Sequence, residues 1–145
     1  MADHNERWVL NHLIEMCRDE ELTLRFAAEH VTNPAVRTLF GDLASRRAEF
    51  AAQLVPHAER LGGTEASEGT TRGALHRRWV AMKDVLLGHN EQTLIQDAES
   101  LERDTLSTFE KALEDLLPPT SRDLIEQQCA ELRKSHDRVR SLLMH

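Results

Sequence analysis

Aromatic residues make up only 4% of this 145-residue chain, and tyrosine is absent. A core must therefore come from Leu, Val, Ile and Ala, a composition that suits helices better than sheets. The two cysteines, Cys17 and Cys129, are too few for a disulfide framework. Both fall on apolar stripes, so reduced core thiols in a cytoplasmic protein are expected. No uncharged apolar run approaches membrane-spanning length, so no membrane partner is expected. Met1 to Arg7 is charged and lacks an apolar stretch, so no secretory leader is expected there. Positive charge is in deficit: 18 Lys and Arg against 25 Asp and Glu give a formal charge of −7. That balance argues against nucleic acid as a partner. CxxC, HExxH and Gly-rich phosphate loops are missing, no Ser sits in a nucleophile elbow, and neither Cys has an obvious activating His.

What is present is helical periodicity. Hydrophobic residues at 40% and charged residues at 30% describe one globular domain spanning residues 1–145. Asp3, with Glu6 three residues on, reads as the start of a first helix. Its stripe is Leu10, Leu13, Cys17, Glu20, Leu24, Ala27 and Val31, in steps of three and four. Thr32-Asn33-Pro34 closes it and opens the next, because Asn caps well and Pro suits the first helical position. The second stripe is Val36, Phe40, Leu43, Arg47, Phe50, Leu54, His57 and Leu61, ended by Gly62-Gly63.

A polar loop, Thr64 to Thr71, precedes a short amphipathic helix carrying Leu75, Trp79, Met82 and Leu86, which Gly88 stops. Asn90 caps a long helix with the stripe Ile95, Ala98, Glu102, Thr105, Phe109, Ala112 and Leu116. Pro118-Pro119 breaks the chain, and Thr120 begins a last helix with Ile125, Cys129, Leu132, His136, Val139 and Leu143. No segment alternates with the period of a half-buried strand. The expected fold is all-α: two antiparallel helix hairpins joined by a long crossover carrying the short extra helix, the ferritin-like four-helix bundle.

Glu20, Glu102 and His136 occupy inward positions where leucine belongs. Burying such groups costs free energy unless they are paired, protonated or metal-bound. At about 1.5 Å per residue, Glu20 lies roughly 20 Å from the first turn, and Glu102 and His136 roughly 25 Å from the second. These levels meet near mid-bundle, and Glu49 lies close to the level of Glu20. Glu20, Glu49, Glu102 and His136 are therefore the candidate metal ligands, with iron, manganese or zinc as the ion these donors suit. A complete dinuclear carboxylate site needs Glu-x-x-His on two helices. Here Ala52 stands where helix two needs His, and Arg133 where the last helix needs Glu. The metal-free alternative pairs Glu102 with His136 and Glu20 with Arg46 or Arg47.

The runs Arg18-Asp19-Glu20, Phe26-Ala27-Ala28-Glu29, Arg47-Ala48-Glu49-Phe50, Gly73-Ala74-Leu75-His76-Arg77-Arg78-Trp79 and His136-Asp137-Arg138 carry a resemblance. Together they resemble domain-of-unknown-function family 2383, bacterial four-helix-bundle proteins distantly similar to rubrerythrin-type ferritin-like domains. The resemblance implies a ferritin-like bundle, with stress-related roles suggested for neighbouring families. The expectation is a stress-associated or scaffolding bundle that is not an enzyme in its own right and holds at most one loosely bound metal ion. One rival is a metal-dependent oxidoreductase or iron-handling protein. The other is an interaction module that forms a homodimer through the crossover helix.

Overall fold

The computed structural model describes residues 2–62 and 91–143. Among them lie four helices and no strand: α1 (Ala2–His30), α2 (Pro34–Arg60), α3 (Glu91–Ala112) and α4 (Pro119–Leu143). The expected loop at Thr64 to Thr71, the short helix around Trp79, its stop at Gly88 and the Asn90 cap lie outside the described residues.

The first turn forms as its sequence dictates. Asn33 Oδ1 accepts from the backbone N–H of Ala35 at 2.9 Å and Val36 at 3.3 Å, and Pro34 takes the first helical position. Glu91 Oε1 accepts from Asn33 N at 3.1 Å, so the start of α3 is tied to the α1–α2 turn. At the opposite end, Gly62 closes α2 with φ +121. That backbone conformation is one that residues with a Cβ rarely adopt, which is why glycine stands there.

Three local expectations are corrected. Helix α1 runs from Ala2, so Asp3 lies inside it instead of capping it. Pro119, not Thr120, is the first residue of α4. Helix α3 stops at Ala112, because Leu113, Glu114 and Asp115 form tight i→i−3 bonds of 3.0–3.1 Å before the proline pair. Leu116 therefore leaves the expected stripe and is 78% exposed, while Leu117, at 9%, fills the core. Pro56 inside α2 drew no expectation; the helix continues through it to Arg60.

Two apolar clusters fix the topology. One joins early α1 (Leu10, Leu13), late α2 (Phe50, Leu54), late α3 (Phe109) and early α4 (Ile125). The other joins late α1 (Leu24, Val31), early α2 (Phe40, Leu43), early α3 (Leu94) and late α4 (Val139). Helices α1 and α4 thus run one way, and α2 and α3 the other. Gly62 and Glu91 sit at opposite ends, so one connection spans the length of a four-helix bundle. Within the ring, α1 packs on α2 and α3, and α4 on α2 and α3. Each fully buried leucine contributes about 1.5–3 kcal/mol of apolar burial. No described helix is long and apolar enough to cross a membrane.

Candidate functional site

Between the two apolar clusters lies a polar layer built by one residue from each of three stripes and a helper from the fourth. Arg47 stands where the α2 stripe puts an inward side chain, and it is 0% exposed. Its Nε donates to Glu20 Oε1 of α1 at 2.7 Å, and its Nη2 donates to Glu102 Oε2 of α3. Thr105, one turn after Glu102, lies 2.8 and 2.9 Å from the two Glu20 oxygens and 2.7 Å from Leu101 O. Ser135 of α4 donates to Glu102 Oε1 at 2.6 Å. Three helices therefore meet at one guanidinium, and the fourth adds a hydroxyl bonded to the Glu102 carboxylate.

The electrostatics follow from this placement. Burial works against the Arg47 cation, but the Glu20 and Glu102 carboxylates outweigh it and hold the guanidinium above its ordinary value. Cys17, one turn before Glu20, is fully buried, and burial together with the two carboxylates pushes its thiol far up. Burial likewise pushes Cys129 up to about 11. Both thiols stay protonated near neutrality and are poor nucleophiles.

A second pair sits at the margin. His136 Nε2 donates to Glu99 Oε2 at 2.6 Å, and Arg103 Nη1 reaches Glu99 Oε1 at 3.1 Å. The imidazole bond, and then Arg103, hold the Glu99 carboxyl below the usual carboxylate range. Beside it, Ser135 lines a surface cleft of about 190 Å³ with Leu43, Arg46, Glu131 and Arg138.

The structure brings Glu20 and Glu102 to one point, and it separates the other two candidates from them. Glu49 is exposed, because two residues beyond Arg47 turn the helix by about 200° and carry it to the outer face. His136 bonds to Glu99 instead of Glu102, so the expected Glu102–His136 pair is replaced by Glu102–Arg47. The metal-free alternative named Arg46 or Arg47 as the partner of Glu20; it is Arg47, while Arg46 meets Glu131 at 2.9 Å. Arg133 is exposed and meets Glu110 at 3.0 Å, away from the layer. Among the described residues, no group of three or more His, Cys, Asp or Glu is placed to hold a metal ion. Ser135 and Glu99 escaped the sequence reading because they flank the stripes; their only signal was adjacency to His136 and spacing of three from Glu102.

No curated protein matches the chain. A family model does, over residues 6–115, and it takes in α1 from Glu6 onward, α2, α3 and the three acidic or cationic members of the buried layer. With that match over most of its length, the chain belongs to the family described as Domain of unknown function (DUF2383).

Proposed function

We propose that the chain is a ferritin-like scaffolding bundle, not an enzyme in its own right, whose mid-core is held by an internal cation. The observation that carries this reading is Arg47, which stands between Glu20 and Glu102 where a bound ion would have to stand. The single long connection between opposite ends supports the ferritin-like assignment. The free, buried Cys17 and Cys129 suit a reducing cytoplasm. A stress-associated role belongs to this reading through the family resemblance alone.

Ligation by Glu20, Glu49, Glu102 and His136 together requires Arg47 to leave and Glu49 to turn inward. A second reading needs neither. It places one iron, manganese or zinc ion at the Glu99–His136 margin, where a carboxylate and an imidazole already converge. Elemental analysis of protein purified without a tag or chelator tests both. The scaffold reading expects sub-stoichiometric metal that leaves on dialysis, and tight stoichiometric iron or manganese overturns it. If metal is retained and lost in Glu99→Gln, the marginal ion is the correct reading.

A further inference from the structure

Away from the polar layer, the first hairpin carries a surface groove of about 440 Å³ between α1 and α2, lined by Arg25, Ala28, Glu29, Arg37 and Gly41. Its layout follows from distance to the turn. Arg25 and Gly41 each stand eight residues from Asn33, and Ala28 and Arg37 stand five and four from it. Antiparallel helices therefore set each arginine opposite a small residue, and the two arginines differ in level by about 6 Å.

Two details distinguish this groove from an ordinary solvated face. The first is how its arginines are held. Arg37 Nη2 donates to Val31 O at 2.9 Å, which fixes the side chain, and among the described residues no carboxylate pairs with it. Arg25 Nε donates to Glu21 Oε2 at 2.8 Å, which leaves Nη1 and Nη2 for another acceptor. The second is Gly41, which lies inside α2, where glycine weakens a helix relative to alanine. A Cβ there would meet nothing within 4 Å, so packing does not ask for glycine. What the missing side chain does is keep the groove open.

We propose that the groove binds a small organic phosphate, its phosphate held between Arg25 and Arg37 and its remainder lying over Ala28 and Gly41. Guanidinium forks match phosphate oxygens, two N–H bonds at a time. The volume is that of a small-molecule site and leaves room beyond a bare oxyanion. Glu29 disfavours inorganic phosphate by its charge and offers an acceptor to a hydroxyl, which selects an ester that carries hydroxyls. A polyanion is disfavoured, because the chain's formal charge of −7 repels it beyond the reach of two arginines.

Amide NMR titrations of the full chain at constant ionic strength test this, with adenosine monophosphate, glycerol phosphate and inorganic phosphate as probes. The expected result is saturable shifts at Arg25, Ala28, Arg37 and Gly41 from at least one ester, with a Kd of about 1 mM or lower and weaker binding of inorganic phosphate. No saturable shift from either ester up to about 10 mM overturns the proposal. Inorganic phosphate binding as tightly as both esters overturns it too. Arg25→Gln should keep the helical circular dichroism and weaken the ester by about tenfold, the loss of a charge-assisted bond; an unchanged Kd overturns the site. Gly41→Leu should melt no earlier than the unaltered chain and abolish binding, whereas retained binding overturns the placement over Gly41.

Discussion

Glu102 and Glu99 stand three residues apart on α3, and each meets a nitrogen-bearing side chain from another helix. The surroundings differ. Glu102 and its partner Arg47 are sealed from solvent, whereas Glu99 and His136 keep 17% and 14% of their side-chain surface exposed. At the margin, water offsets whatever the partner fails to supply, so the pair is dispensable. In the interior there is no substitute. The Arg47 layer contributes less by existing than it would cost by being broken, because removing one charge strands the others.

The largest test breaks the interior pair from its cationic side. Arg47→Met leaves Glu20 and Glu102 buried together and should cost about 3–5 kcal/mol, read by urea unfolding. Loss below 1 kcal/mol would show that water already reaches the layer and that the contrast with Glu99 is false. The next test removes the whole layer. Glu20→Leu with Arg47→Met and Glu102→Leu should unfold at least as late as the unaltered chain, with a gain of up to about 4 kcal/mol. If the triple variant is also crippled, the layer holds the bundle through contacts that apolar packing cannot replace.

Ser135 sharpens the comparison, since it links the interior to the margin. Ser135→Ala takes away the hydroxyl that donates to Glu102 Oε1 and should cost about 1–3 kcal/mol, more than its partly exposed position suggests. At the margin itself, His136→Ala should cost no more than about 1 kcal/mol. The carboxyl of Glu99 is held down by the imidazole bond, then by Arg103. Its stability contribution is therefore full above the ordinary value of 4.5 and is lost as pH falls through the lower folded value. Acid titration of His136→Ala should show a shallower loss than the unaltered chain below about pH 4.5; equal slopes would mean the pair stabilises nothing.

Much of this layout could be read from residue order, for identifiable reasons. Asn33-Pro34 and Pro118-Pro119 act through local backbone chemistry, which does not depend on tertiary context, so the turns emerged directly. Glu20 and Glu102 were legible because a charge at a leucine position is rare and expensive. Their common partner was harder to see. Arg47 was visible on its stripe, but a long side chain reaches several angstroms from its Cα, and periodicity does not say where its head lands. For the same reason, His136 was paired with the carboxylate at its own depth instead of with Glu99, one turn away. Leu116 and Leu117 could not be told apart, because a three-residue tight turn shifts the helical phase by an amount that apolar pattern does not encode.

The smallest effect concerns an imidazole held down by burial and by a neighbouring cation. His57 Nδ1 and Ser121 Oγ lie 2.8 Å apart across α2 and α4, in hydrogen-bond contact. Burial, and then the neighbouring Arg60, lower His57 from its ordinary value of 6.5. The unfolded chain then holds the proton more tightly than the folded one, so this group favours folding above 6.5. Its contribution declines as pH falls through that value and levels off once the folded ring is itself protonated. Glu99 loses its contribution only at lower pH, so the two margins separate on the pH axis. His57→Gln keeps a hydrogen-bonding group opposite Ser121 and cannot titrate. Its melting temperature should therefore fall less than that of the unaltered chain between about pH 7.5 and about pH 5.5. Parallel curves would mean that His57 is as well solvated folded as unfolded, and that its partial burial leaves no imprint on stability.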